Sequence, residues 1–301
     1  MSTQYGLPEN VEDAQYMTEA ARGTFSTGIT AVFIGQSPQL SFSSGIGAYQ
    51  NYVSGSRDPS EALDSIQTLG LNLSFGTIVN ATLVFMKRGI NLADGIQTTM
   101  SMCLRETMGE LTGTHTHNYL KLKNCLIGAG AFGAVGSGPV QGTVALVGNL
   151  SAYDSSAPTN WVFDTTSHTG AYTGASGLAN NVIVRDVDAA QNYTPSVRSW
   201  VVGFNNGIFP IPQCGSTAFA DFIPTQRGIN VNLSVNKKNL DLFGIHNSRH
   251  DTNVTIIISS PGVTFTATGG LLDPANLTFA TDSPNFEVYQ LGSLLGSLAT
   301  S

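Results

Sequence analysis

Charge is scarce in this chain: only 11% of its 301 residues are Asp, Glu, Lys or Arg, 20 acidic against 13 basic. A net charge of −7, with the acids scattered, offers no basic surface on which a polyanion would bind tightly. The small basic clusters, Lys237-Lys238 and Lys121 with Lys123, read as solvated strand edges or turns. Cysteine is sparse as well. Cys103, Cys125 and Cys214 are odd in number and widely spaced, and point neither to a disulfide framework nor to a zinc knuckle. No apolar run approaches the length of a membrane span, and Met1-Ser2-Thr3-Gln4-Tyr5 lacks the regions of a signal peptide. The expectation is a soluble protein made in a reducing cytoplasm.

Catalytic signatures are missing too. There is no nucleophile elbow, no phosphate loop ending in Gly-Lys-Ser/Thr and no His-Glu-x-x-His helix. Gly128-Ala129-Gly130-Ala131-Phe132-Gly133 has dinucleotide-site spacing, but such a site needs a helix next, whose N-terminus holds the pyrophosphate. Pro139 and the alternating stretch Thr143–Val147 follow instead, so a flexible hairpin loop is expected there. His115 with His117, and His246 with His250 beside Asp251, contain metal-ligand chemistry. The two pairs lie far apart in polar, turn-like stretches and read as surface histidines. Glu106 with Glu110 reads as a solvated face. Trp161 and Trp200, the only two tryptophans, are expected as core or interface anchors. No catalytic residue, cofactor site or metal site is expected.

Gly, Ser, Thr and Asn are abundant beside 41% hydrophobic residues, a composition too apolar and too evenly patterned for disorder. The dominant period is two. Leu69, Leu71, Leu73 and Phe75 alternate with small or polar residues, as do Val231, Leu233 and Val235. Ile256-Ile257-Ile258 fits a strand buried on both faces. Turn signals such as Lys87-Arg88-Gly89, Pro261-Gly262 and Gly269-Gly270 separate the strands. Two helices are expected. One is capped by Asn10, with Asp13 in its first turn and Gly23 as its stop. The other is a short turn in which Asp58 caps, Pro59 opens and Glu61 stands three residues on.

The chain also repeats itself. Phe42-Ser43-Ser44-Gly45-Ile46, Gly55-Ser56 and Leu69–Phe75 recur in order as Phe204-Asn205-Asn206-Gly207-Ile208, Gly215-Ser216 and Ile229–Val235. From Gly55 to Gly215 and from Leu73 to Leu233 the offset is 160 in both cases. The predicted fold is mainly β, with two related modules in tandem. Residues 1–27 form an N-terminal arm with a short helix, 28–150 the first module, 151–197 a connector or insertion, and 198–301 the second module.

A β-module with an extended Ser/Asn/Thr strand, a loop with a short helix, and a terminal arm resembles the tail tube (major tail) protein family of long-tailed bacteriophages. Tyr49–Phe75, centred on Gly55-Ser56-Arg57-Asp58-Pro59, and the strand Asn118–Ile127 carry the likeness. It covers most of 26–150 and, more faintly, 198–301. The resemblance implies a β-sandwich or barrel with a flanking helix, assembling into rings that stack into a virion tail tube. Such a tube conducts DNA to the host without binding it specifically. The implied partners are other copies of the chain and tail proteins such as the tape measure and the tail terminator. Two modules per chain fit three chains per ring with pseudo-six-fold symmetry; six chains with an outward second domain is the alternative. On this reading Gly55, Ser56, Arg57, Asp58 and Pro59 form an inter-subunit loop. Asn72, Ser74, Asn230, Asn232 and Ser234 are candidates for the bore or a solvent face. Rival readings are another virion β-protein (capsid decoration, sheath or receptor-binding) and a carbohydrate-binding module.

Overall fold

In the computed structural model, the described residues are 10–34, 39–52, 59–76, 78, 80–90, 97–109, 115–136, 138–163, 181–214, 216, 218–236, 253–260, 263–277, 286–293 and 297–300. The protein is mainly β, and all neighbouring strands run antiparallel. The first half contains β1 (Asn10–Thr18), β2 (Val32–Phe33), β3 (Gln39–Tyr52), β4 (Pro59–Phe75), α1 (Asn80–Ile90), β5 (Met100–Gly109), β6 (His115–Val135) and β7 (Gln141–Asp154). The second contains β8 (Asn181–Asp186), β9 (Gln191–Tyr193), β10 (Val197–Asn205), the small hairpin β11 (Ile208–Ile211) and β12 (Asp221–Pro224), and β13 (Gly228–Asn236). It ends with β14 (Val254–Ser260), β15 (Val263–Leu277), β16 (Phe286–Ser293) and β17 (Ser297–Thr300).

Strand order in the sheet is traced twice. The first half runs β3-β4-β7-β6-β5-β1-β2, and the second runs β10-β13-β16-β15-β14-β8-β9. With the hairpin β11–β12 set aside, each half places its third, fourth, seventh, sixth, fifth, first and second strands side by side. β17 pairs with β15 and continues the ladder of β16, so the two together match the long β7.

Register repeats with the order. Leu73 faces Leu40 and Leu71 faces Phe42, while Leu233 faces Trp200 and Val231 faces Val202, so both strands of the pair carry an offset of 160 (231 − 71 and 202 − 42). A register shift falls between Met100 and Met102 on β5, and another between Val254 and Ile256 on the corresponding β14. The halves are joined within the sheet, because the C-terminal part of β6 pairs with β10.

Burial follows the alternation. Leu71, Leu73 and Phe75 point inward from β4, as do Val231, Leu233 and Val235 from β13, all at most 3% exposed. The sheet curls over this core. Phe265 on β15 stacks on Phe132 of β6, with ring centroids 5.9 Å apart, and meets Trp200 of β10 at 5.9 Å. Two strands separate β10 from β15 in the sheet order, so these contacts run across the core rather than along one ladder. One contiguous cluster of buried side chains contains residues of both halves.

The expected N-terminal helix is a strand. From Asn10 the chain enters β1, which pairs with β5 and β2. Ala14 and Tyr16 reach the main core, and Met17 packs with Cys103, Tyr119 and Trp161 on the other face. Burial on both faces removes the polar–apolar alternation, and the apolar residues left over mimic a helical stripe. The helical turn expected from Asp58 is likewise replaced, because Pro59 opens β4 opposite Tyr52 and Glu61 lies opposite Asn51. A ladder running from there to Gln39 and Ser74 outweighs a local capping pattern worth about 1 kcal/mol.

The described helix lies where a turn was expected. Lys87-Arg88-Gly89 is the last turn of α1, where the two cations complement the carbonyl end of the helix dipole. Thr82, Leu83, Phe85, Met86 and Ile90 are buried while Val84 is 52% exposed, a spacing of three and four that strands lack. Phe85 packs on Tyr16 at 5.2 Å, and the Arg88 guanidinium lies over the same ring. β8 and β9 fall inside the stretch expected as connector, and β7 extends to Asp154. Ile257 is half-buried between buried Ile256 and Ile258, so this strand has one core face rather than two.

Candidate functional site

Side chains directly opposite one another on neighbouring strands share a face. Ser74 on β4 stands opposite Thr143, which faces Ala131, which faces Gly203, which faces Asn230 on β13. The row beside it runs Asn72, Ala145, Ala129, Asn205, Gly228. On the other side Gln141, Gly133, Val201 and Asn232 form a third row, and Val135, Ser199 and Ser234 a fourth. Asn72, Ser74, Asn230, Asn232 and Ser234 thus lie on one face of one continuous sheet, although 156 residues separate Ser74 from Asn230 (230 − 74).

The reverse of this face is the core. Leu73, Val144, Gly130, Phe204 and Ile229 make the corresponding inward row. Outward, Asn72 and Asn230 are exposed, and Ser74, Asn232 and Ser234 are half-buried. None of the residues in the four outward rows is ionisable. The surface therefore presents hydroxyls, amides and small apolar groups, with no fixed charge to attract or hold an ion. It is also shallow. A Cβ on Gly203 would sit 2.2 Å from Asn230 Oδ1, and one on Gly133 would sit 2.4 Å from the Trp200 carbonyl oxygen. The neighbouring backbone keeps Gly133 bare, and the Asn230 amide fills the space over Gly203. An open cavity of about 830 Å³ lies on this face, lined by Ser74, Ala131, Gly133, Gln141, Thr143 and Val201 among others, again without a titratable side chain.

Gly55, Ser56, Arg57 and Asp58 lie outside the described residues, and Pro59 is the first residue of β4. His117 is half-buried on β6, His115 opens the same strand, and His246 and His250 lie outside the described residues. Among the described residues no three His, Cys, Asp or Glu side chains gather as a metal site would require. Gly128–Gly133 is not the hairpin loop expected; it is the centre of β6, paired with β7 and β10. Glu106 accepts a hydrogen bond from the Tyr153 hydroxyl at 2.5 Å, and Glu110 lies outside the described residues. Trp161 and Trp200 are 5% and 2% exposed, so neither offers a ring face to a sugar.

Three side chains that sequence reasoning did not single out as structural ties hold this platform together. Asn206 is buried; it donates to the carbonyls of Gly89 at 3.0 Å and Ile127 at 2.9 Å, while its own N–H reaches Gly128 O at 2.7 Å. Arg227 donates to Ile90 O at 2.8 Å and lies over the Phe204 ring. Together they satisfy the carbonyl end of α1 from the second half of the chain. Burial pulls the Arg227 pKa down from its ordinary value. Glu19, also buried, accepts from the Asn124 N–H at 2.6 Å, the Gly23 N–H at 2.8 Å and Ser101 Oγ at 3.3 Å. Asn124 has a positive φ of 53°, and its neighbour Cys125 has its thiol pKa raised, first by burial and then by the Glu19 charge. The sequence signal for Asn206 was its place in the repeated Phe204–Ile208 block; Glu19 and Arg227 carried none.

The hairpin β11–β12 is anchored to the first half as well. Asn149 exchanges two hydrogen bonds with the backbone of Phe219, and Arg22 meets Asp221 at 2.6 Å and the Phe222 carbonyl at 2.7 Å. Among the described residues no helix is long and apolar enough to cross a membrane. No protein-family model matches the chain, and no curated protein is detectably similar to it.

Proposed function

We propose that this chain is a virion structural protein that assembles with copies of itself into stacked rings, forming a tail tube through which DNA passes. The observation that carries the reading is the double tracing of one strand order, with one face free of ionisable residues from β4 across the joint between the halves to β13. A chain that joins two like modules edge to edge has built one step of a ring in its own sequence. A conduit for DNA must not retain it. A surface of Asn, Ser, Thr, Gly and Ala without cations gives phosphates nothing to pair with, and the overall charge of −7 opposes close approach. The face holding Asn72, Ser74, Asn230, Asn232 and Ser234 is assigned to the bore, and three chains of two modules to each ring. A helix packed against a β-core, as α1 is, accords with the tail-tube resemblance.

Electron microscopy of the purified protein tests this, alone and with tail-tip proteins as nucleators. Rings or tubes with a central channel are expected. A protein that stays monomeric under both conditions, or binds only to preformed capsids as a decoration protein would, contradicts the proposal.

A further inference from the structure

The joint between the two halves of the chain is a template for a joint between chains, and we propose that the outer edge of β3 pairs antiparallel with the open edge of β15 in a second copy. The inference rests on the ring-assembly reading and adds to it the strands and their register.

β6 is flanked by β7 along one side. On its other side β5 covers the N-terminal part and β10 the C-terminal part, from Ala129 to Val135. β15 has the same plan. β16 and β17 line one side, and β14 covers Val263–Gly270 on the other. The place that β10 takes beside β6 begins on β15 at Pro274, and along Pro274–Leu277 no described strand occupies it. β3 is the counterpart of β10, and among the described residues it pairs with β4 alone. The chain thus has one closed joint of this kind and both halves of another. Open edges of this length are templates for pairing, and two complementary ones on a single chain make a head-to-tail contact that can close a ring.

Register follows from the repeat. On the sixth strand of each half the offset is 145, from Leu122 to Ala267 and from Ile127 to Leu272; on the third it is 160. Within the chain Val202 faces Phe132 and Gly203 faces Ala131. Between chains, Phe42 therefore faces Leu277 and Ser43 faces Asn276. The hydrogen bonds Asn206 N–H to Gly128 O and Gly136 N–H to Arg198 O fix the phase of the joint: even-numbered residues of β6 bond to β10. Pro274 faces Tyr289 as Gly130 faces Val144, so its backbone lies on the joint side; its carbonyl can accept there, while its missing N–H removes one bond from that pair. Ser43 and Asn276 form a non-hydrogen-bonded pair, whose Cα atoms approach to about 4.5 Å, close enough for a disulfide.

The test uses the full chain with exposed Cys214 changed to Ser, carrying Ser43→Cys and Asn276→Cys together. Oxidation of the assembled protein should give covalent multimers on a non-reducing gel, ending at the number of chains in the ring. The mis-registered pair Ser43→Cys with Leu277→Cys should lose that cross-link. Ser44 corresponds to Phe204, whose backbone groups face the joint. Ser44→Pro therefore removes an outward donor while leaving the β3–β4 ladder intact, and should give a folded chain that no longer forms rings. Rings that form without the Ser43–Asn276 cross-link, or that survive Ser44→Pro, overturn this joint and leave the tube reading standing. Failure of the unmodified chain to form rings at all overturns both.

Discussion

The two halves of the chain share a ladder and differ in what hangs from it. Both place seven strands in the same order, with the same register between the third and fourth and a register shift at the same point of the fifth. The connections diverge. The first half carries its third and fourth strands on as one hairpin to Tyr52 and Pro59, whereas in the second half β10 ends at Asn205 and the pairing resumes as β11–β12, where Ile208 faces Pro224 as Ala48 faces Asp64, at the same offset of 160 (208 − 48 and 224 − 64). Among the described residues β16 and β17 together take the place of β7, which runs to Asp154. What persists is the hydrogen-bonded frame with its inward apolar rows, the outer part of the third-strand hairpin included. What varies is how that frame is tied down, as where Arg22 and Asn149 of the first half hold the β11–β12 hairpin of the second.

The largest effects should come from treating the halves alike. Leu73 and Leu233 are both fully buried and stand 160 residues apart (233 − 73) in matching positions. Leu73→Ala and Leu233→Ala should each cost about 2–5 kcal/mol in urea unfolding. Because both belong to one contiguous core, each variant should unfold in a single shifted transition. Two separated transitions in either variant would mean that the halves are independent folding units. A smaller effect is expected where the halves differ. Asn206→Ala removes two side-chain bonds to the α1 and β6 carbonyls and should cost about 1–3 kcal/mol. Its exposed neighbour Asn205, changed to Ala, should stay within about 0.5 kcal/mol of the parent. Equal losses at 205 and 206 would remove Asn206 from its role as a tie.

Thiol chemistry separates buried from open positions. Cys103 and Cys125 are buried and Cys214 is exposed, so a thiol reagent should label one cysteine per native chain and all three after denaturation. Rapid native labelling of Cys125 would mean that the Glu19 region opens. The smallest effect belongs to Lys121 and Asp154, which meet at 2.8 Å at the rim. The hydrogen bond from Lys121 holds the Asp154 carboxyl below its ordinary pKa. Its contribution is present above the ordinary carboxylate range and is lost as pH falls through the lowered folded-state value. Solvent screens this pair, so Asp154→Asn should barely alter the acid limb of the stability curve.

Period-two patterning made the β class legible, together with the inward rows of β4 and β13 and the outward residues that share their face. Elsewhere packing overrode local signals. β1 is buried on both faces, so alternation vanished and a helical stripe took its place. Capping residues near Asp58 and Pro59 suggested a turn, but the long pairing with β3 prevailed. α1 went unread because its Val84, Phe85 and Ile90 are strand formers by propensity. The repeat itself was legible with one slip. Aligning Phe42 with Phe204 implies an offset of 162, whereas the ladders place Val202 in the position of Phe42. Two residues is one strand period, so the slip preserves the face while misplacing the row.

On the proposed assembly, two like modules per chain would close a ring edge to edge, and a class-averaged end-on view of the assembled protein by electron microscopy is the decisive measurement. A ring of three chains with six similar lobes around one channel is expected. A ring of six chains with the second halves projecting outward, or particles with no ring, would contradict it.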